Sequence, residues 1–184
     1  MLGFFRRNRS AAAIERLLEA LMAQARQPAF YAALAVPDSV DGRFEMVALH
    51  AGLIVRRLER AAAPGPDMAR DLTDAVFSRF EVALREMGVG DLTVPKRMKK
   101  MAESYLGRTQ AYGAALEARD ACVLAQALAR NIYGEDDLAN APFAGPMADY
   151  VLASADILAK LDDARLIEAR LEWPAIPAGA GQPG

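Results

Sequence analysis

Residues 40–62 read VDGRFEMVALHAGLIVRRLERAA, and this stretch decides the fold class. Its apolar residues recur at intervals of three and four, which is the period of an α-helix. One helical face carries Phe44, Val47, Ala51, Ile54, Val55 and Leu58, and a second apolar strip nearly opposite carries Met46, Leu49 and Leu53. A helix that is apolar on two sides is buried among neighbouring helices, or it offers its second face to a partner.

The rest of the chain has a similar helical composition, rich in Ala, Leu, Arg, Glu and Met, and no run alternates with the period of two that marks a strand. Beside the helix at 40–62, we predict a short helical turn after Pro28 and helices at 10–26, 67–87, 94–118, 120–133, 146–160 and 163–171. Gly107 and Gly113 are candidate interruptions. The sequence therefore predicts an all-α, single-domain bundle of about six to seven helices at 10–173, between a basic and aromatic tail at 1–9 and a disordered Pro/Gly-rich tail at 174–184.

The overall composition excludes several classes of protein. Of the 184 residues, 53% are hydrophobic and 25% are charged, and the net charge of −2 excludes a polyelectrolyte. A single cysteine permits no intramolecular disulfide, and one cysteine with one histidine cannot build a zinc site without several carboxylates, so we expect no metal and no cofactor. No apolar run reaches the roughly 20 residues that cross a bilayer. The N-terminus places its apolar residues before its arginines, the reverse of a secretory signal, so we expect a cytoplasmic protein.

The first turns of the helix at 94–118 carry a cluster of cations, Lys96, Arg97, Lys99 and Lys100. This cluster is either a docking surface for an acidic protein, RNA or anionic lipid, or an ordinary solvated helix face. Because the helix macrodipole disfavours positive charge near an N-terminus, the cluster favours a partner. The cluster predicts one alternative function for the protein, a ribosome- or nucleic-acid-binding module that uses residues 96–100.

The N-terminal residues Phe4, Phe5, Arg6, Arg7 and Arg9 combine aromatic and basic side chains. Such a segment predicts a weak, reversible anchor on the cytoplasmic face of the inner membrane. A frayed terminus is the alternative interpretation.

His50 and Cys122 are the two side chains that could support catalysis. His50 lies between the two apolar strips of its helix, which predicts a hydrogen-bonded core residue, and Cys122 is predicted to be a small core residue. No nucleophile–base motif surrounds either residue. We therefore expect a protein that is not an enzyme, with dispersed catalytic residues acting on lipid or quinone as the alternative.

Three stretches resemble the ubiquinol–cytochrome c chaperone family: QPAFY at 27–31 leading through VPDSVDGRF at 36–44, LREMGVGDL at 84–92 followed by KRMKKM at 96–101, and ALARNIYG at 127–134. The resemblance implies an assembly chaperone that binds newly made cytochrome b, or another subunit of the bc1 complex, until haem is inserted. Mitochondrial members act with a small partner protein near the ribosome exit tunnel. The absence of their long N-terminal extension suggests a bacterial member.

A client of this kind has long apolar segments, which an adaptable, methionine-containing surface suits. We therefore predict an apolar groove between the helices at 40–62 and 94–118, rimmed by Arg43, Arg57, Arg97 and Lys100. Close packing of these two apolar faces is the alternative. The predicted partner-binding residues are Arg43, Phe44, Met46, His50, Arg57, Lys96, Arg97, Met98, Lys99, Lys100 and Met101.

Overall fold

The computed structural model describes the backbone of residues 2–178 and the side chains of residues 11–178. All regular secondary structure in this part of the chain is helical, which confirms the predicted all-α, single-domain fold. The helices are α1 (Leu2–Ala25), α2 (Pro28–Ala32), α3 (Val40–Glu59), α4 (Gly65–Glu86), α5 (Val94–Ala118), α6 (Ala121–Leu128), α7 (Ala144–Lys160) and α8 (Asp163–Ile167). A π-turn at Ala129–Tyr133 continues α6, and a 3-10 turn at Leu138–Asn140 precedes α7.

Helix α1 begins at Leu2, earlier than the predicted start at Ser10. Its buried stripe of Ile14, Leu17, Leu18 and Leu21 agrees with the expected helical spacing. The side chains of residues 1–10 lie outside the described ones, and so does the predicted membrane anchor formed by Phe4, Phe5, Arg6, Arg7 and Arg9.

Helix α3 is the centre of the bundle and contacts α1, α4, α5 and α7. Its N-terminus is capped by Ser39, whose Oγ accepts a hydrogen bond of 3.1 Å from the backbone N–H of Gly42. Most of both apolar strips of α3 is buried, because the helix has neighbours on almost every side, and Phe44 and Val55 are half-buried. Met46, Leu49 and Leu53 therefore belong to the core, and the second strip is not offered to a partner.

Helix α5 runs unbroken past Gly107 and Gly113, so neither glycine interrupts it. Thr93 occupies the N-cap position, but its side chain makes no capping hydrogen bond. The helix is joined to α3 by a bidentate ion pair between the Arg108 guanidinium and the Glu45 carboxylate.

The C-terminal helices close the bundle. Helix α8 is capped by Asp162, whose carboxylate accepts a hydrogen bond of 2.8 Å from the backbone N–H of Arg165. It ends at Ile167, before the predicted end at Leu171. The following residues are irregular, yet Trp173 and Ile176 pack against the core, so ordered packing extends into the predicted disordered tail. Residues 179–184 of that tail lie outside the described ones.

Across the described residues, no helix has both the length and the apolar character that crossing a bilayer requires.

Candidate functional site

His50 lies inside the protein and does not face a partner. Its side chain is fully buried on α3, where Nδ1 lies 2.7 Å from the carbonyl oxygen of Met46 and Nε2 lies 2.9 Å from the hydroxyl of Tyr150. Burial lowers the pKa of His50 to about 4. Met46 is also fully buried. The prediction that His50 and Met46 belong to a partner-binding surface is therefore wrong, because neighbouring helices bury both side chains. The other prediction for His50, a hydrogen-bonded core residue, agrees with its two hydrogen bonds.

Arg57, near the C-terminus of α3, is hydrogen-bonded to the C-terminus of α7. Its guanidinium donates hydrogen bonds of 2.9 Å and 2.6 Å to the carbonyl oxygens of Leu158 and Leu161 at the C-terminus of α7. It also forms an ion pair of 2.7 Å with Asp163. The pKa of that carboxyl is lowered by a hydrogen bond from the backbone N–H of Ala62 and by the one from Arg57. Only 13% of the Arg57 side chain is exposed. The arginine is thus occupied at the far end of α3 and does not rim a groove near Arg43.

The predicted groove between α3 and α5 is replaced by two separate cavities. One, of about 310 Å³, does lie between these helices, and Leu49, Gly52, Tyr105 and Tyr112 are among its lining residues. None of the four predicted rim residues lines it. The hydroxyl groups of Tyr105 and Tyr112 are buried without a hydrogen-bond partner, and burial raises the pKa of both.

The second cavity is an open groove of about 370 Å³ in which α3 and α4 form the walls and α1 and α5 contribute single side chains. We call it the α3–α4 groove. Its apolar lining consists of Met22, Val40, Phe44, Val47, Phe80, Val82, Ala83, Leu84, Met87 and Met101. Its charged lining consists of Arg26, Arg43, Arg79 and Glu86. The groove combines three methionines with an excess of arginine, which are the two properties that were expected of a client surface.

The base of the α3–α4 groove is formed by aromatic and ionic contacts. The ring of Phe44 packs against that of Phe80, with the ring centres 5.0 Å apart. The Arg108 guanidinium lies 5.8 Å from the centre of the Phe44 ring, while it pairs with the buried carboxylate of Glu45. The pKa of Glu45 is raised overall, because the effect of burial exceeds the opposing effect of the hydrogen bonds from Arg108. These contacts hold Phe44 half-buried, with part of its ring available in the groove.

The structure brings some of the predicted partner-binding residues together and separates others. Arg43, Phe44 and Met101 line the α3–α4 groove. Arg97 lines a neighbouring depression that shares Val40 and Met87 with the groove. Lys96, Lys99 and Lys100 are exposed, and Met98 is half-buried against the core.

Sequence reasoning missed the contribution of α4. Val82 and Met87 are 47% and 49% exposed, and both line the groove. They lie off the buried stripe of Leu72, Val76, Phe80 and Leu84, so a second apolar edge on α4 was the available signal. Cys122, predicted to be a core residue, is instead exposed on the surface of α6, because α6 turns only its Leu124 and Leu128 side inward.

Known proteins resemble this chain in sequence and in fold. The sequence profile described as "Ubiquinol-cytochrome C chaperone" matches residues 32–173. The fold is similar to the crystal structure of the Cbp3 homolog from Brucella abortus, with a TM-score of 0.84 and 39% sequence identity over 95% of this chain and 97% of that chain. No curated protein matches at a significant level.

Neither match supports the alternative of a ribosome- or nucleic-acid-binding module. The matched profile spans most of the chain, and the similarity in fold extends along almost its entire length. The chain therefore belongs to the ubiquinol-cytochrome C chaperone family.

Proposed function

We propose that this protein is a non-enzymatic assembly chaperone of ubiquinol–cytochrome c reductase, and that it holds cytochrome b, or another subunit of that complex, in the α3–α4 groove. Family membership supports the general role. The observation that carries the assignment to a site is that exposed apolar side chains of α3 and α4 converge on one open groove. A folded protein that keeps such a surface in water gains from covering it with a partner.

The shape and chemistry of the groove suit an apolar helical segment. An amphipathic or apolar helix binds a groove by inserting side chains spaced at three or four residues, and a cavity of about 370 Å³ has room for several such side chains. Met22, Met87 and Met101 are unbranched and polarizable, so they can adapt to segments of different sequence. Binding of this type needs no bond to be made or broken, which fits a chaperone that is not an enzyme.

The arginines that line the groove provide donors for polar groups of a client. Arg26, Arg43 and Arg79 can donate hydrogen bonds to backbone carbonyls that are exposed where a client helix ends. Two of them are positioned by acidic neighbours, since Arg43 pairs with Asp38 at 2.7 Å and Arg79 with Glu15 at 3.2 Å. We expect the protein to act in the cytoplasm, at the face of the inner membrane where subunits are inserted, and contact with the ribosome stays a prediction.

A matched pair of substitutions tests the groove. Val82→Glu places a carboxylate in the groove, and Val123→Glu places the same group on α6, where Val123 is 52% exposed and does not line the groove. Burying a carboxylate against an apolar segment should weaken client binding by about tenfold. The measurement is co-purification of cytochrome b with each tagged variant, with circular dichroism as the check on folding.

The expected result is loss of cytochrome b with Val82→Glu and wild-type capture with Val123→Glu. Equal capture by both folded variants would refute the assignment to the groove. A deletion strain that assembles normal amounts of the reductase would refute the proposed function itself.

A further inference from the structure

The exposed apolar side chains of this protein are concentrated at one end. Among residues 11–178, six large apolar side chains are exposed, and four of them are Val40, Val82, Met87 and Leu92. Val40 begins α3, Val82 and Met87 lie at the end of α4, and Leu92 lies in the connection between α4 and α5. Isolated exposed apolar residues are common, but such a concentration marks an interaction surface.

Leu92 is the extreme member of this group, with 97% of its surface exposed. Its connection is short and hydrogen-bonded. The chain leaves α4 at Gly88, whose φ of 78° suits glycine, and the N–H of Val89 donates to the carbonyl of Leu84 at 3.0 Å. The N–H of Thr93 then donates to the carbonyl of Gly90 at 2.8 Å. Leu92 is therefore presented outward by an ordered turn.

Cations follow Leu92 on the first turns of α5. Lys96, Arg97, Lys99 and Lys100 are all exposed, whereas Val94 is buried against the core. Within the described residues, Lys99 alone among these cations has an acidic group within 4.0 Å, the Glu103 carboxylate at 3.9 Å. These positive charges are therefore largely uncompensated on the protein and are available to an anionic partner.

The acidic residue in the connection does not cancel this charge. Asp91 forms an ion pair with Arg85, which also pairs with Glu81 at 2.9 Å. Asp91 is thus engaged with Arg85 and not with the cations at 96–100.

We propose that Leu92 and the cations at 96–100 form a docking surface for an anionic lipid bilayer. Leu92 would enter the boundary between headgroups and acyl chains, and the lysines would lie among the lipid phosphates, which is how an apolar and basic surface binds a membrane reversibly. RNA fits less well, because binding to a single strand depends on stacking aromatics, and the residues exposed at this connection include none.

The position of this surface also deepens the proposed function, on which this step rests. Val40 and Met87 line both the α3–α4 groove and the depression beside Gly88, Gly90 and Arg97. A protein docked through Leu92 would therefore hold its groove next to the bilayer, where apolar segments of a membrane subunit enter or leave.

The full-length protein would be sedimented with vesicles of phosphatidylcholine alone, and with vesicles of phosphatidylcholine mixed with phosphatidylglycerol. We expect binding to the mixed vesicles, weakened by salt. Leu92→Ser should lower the partition coefficient by about tenfold, because one buried leucine is lost. Combined Lys96/Lys99/Lys100→Gln should lower it by roughly a hundredfold, at about fivefold for each cation.

Two controls separate this surface from general effects. Val123→Ser removes an apolar side chain from α6 that is 52% exposed. Combined Arg60/Arg70/Arg119→Gln makes the same change in net charge at the opposite ends of α3, α4 and α5. Both controls should bind mixed vesicles like the wild type, and circular dichroism verifies that every variant is folded.

The proposal fails if the wild type does not bind the mixed vesicles, if it binds both vesicle types equally, or if the test variants bind like their controls. The last outcome would assign binding to another part of the chain, such as residues 4–9. If the wild type binds RNA but no vesicles, and the lysine variants lose that RNA binding, the surface is assigned to nucleic acid. Val82→Glu tests the groove separately, because its readout is capture of cytochrome b.

Discussion

The Nε2 atom of His50 on α3 lies 2.9 Å from the hydroxyl oxygen of Tyr150 on α7. Since the carbonyl of Met46 can only accept, Nδ1 of His50 carries the proton, and Nε2 accepts one from Tyr150. The Tyr150 oxygen in turn accepts a hydrogen bond of 2.9 Å from the amide of Gln24 on α1. Neutral histidine therefore completes a chain of donors and acceptors that joins three helices.

Acid should destabilise the protein through His50. Its pKa is about 4 in the folded state and about 6.5 when the chain is unfolded, so the unfolded state binds the proton more tightly. This contribution to stability is complete above pH 6.5 and is lost as the pH falls through the window down to about 4. The loss should reach roughly 3 kcal/mol. Urea unfolding between neutral pH and pH 4 measures it.

His50→Gln supplies the control for this pH dependence, because its amide can accept from Tyr150 but does not titrate. The variant should be less stable than the wild type at neutral pH, and the difference should shrink as the pH falls. If the two stabilities stay parallel over the whole range, His50 does not cause the acid sensitivity.

The ion pair between Glu45 and Arg108 predicts strong coupling between α3 and α5. The side chain of Glu45 is 8% exposed and that of Arg108 is 19% exposed. Arg108→Met would leave the carboxylate buried without its partner, which should lower the free energy of unfolding by about 3 kcal/mol or more. Chemical denaturation measures the change.

The double variant Glu45→Met/Arg108→Met should recover much of that loss, because no buried charge is left unpaired. In the single variant, protonation of Glu45 should relieve the penalty as the pH falls, since burial already raises the pKa of this carboxyl. Additive effects of the two substitutions would contradict the coupling.

Arg57 should matter for stability and leave client binding unchanged. Arg57→Ala removes two hydrogen bonds to the last carbonyls of α7, and we expect a loss of about 2 kcal/mol in the free energy of unfolding. Arg57→Lys should recover only part of it, because one ammonium cannot reproduce the fork of the guanidinium. Capture of cytochrome b by either variant, measured well below its unfolding transition, should equal that of the wild type. A selective loss of capture would restore Arg57 to the client surface.

The sequence predicted the helices far better than the site, for a physical reason. Periodicity and capping depend on neighbours in the chain. The local sequence therefore offers Asp38 or Ser39 as the cap of α3 and Asp162 as the cap of α8, and in the structure Ser39 and Asp162 make the capping hydrogen bonds. The role of Arg57 depends on Leu158 and Leu161, which are about a hundred residues away. No local pattern contains that contact.

The two apolar strips of α3 illustrate the same limit. Their spacing shows that both are apolar but not whether a neighbour covers each one. The groove lies where α4 leaves part of the Phe44 ring uncovered. Its position depends on how α3 and α4 pack against each other. Arg43, Phe44 and Met101 were therefore identified, while Val82 and Met87 were not.

Two glycines should respond in opposite directions to the same substitution. A Cβ added to Gly42 would lie 1.9 Å from the carbonyl oxygen of Pro37, which is backbone and cannot rotate away. A Cβ added to Gly107 would meet nothing within 4 Å. Gly107 lies inside α5, where alanine is the better helix former.

Gly42→Ala should therefore lower the free energy of unfolding by about 2 kcal/mol or more, because the segment before α3 must move to admit the methyl group. Gly107→Ala should raise it by about 0.5–1 kcal/mol through helix propensity alone. Thermal and urea unfolding of both variants beside the wild type measure the two effects. A Gly42→Ala variant as stable as the wild type would show that Pro37 does not pack against the start of α3. Val40, Arg43 and Phe44 lie next to this contact and line the groove, so a shift of the segment before α3 should also alter the groove.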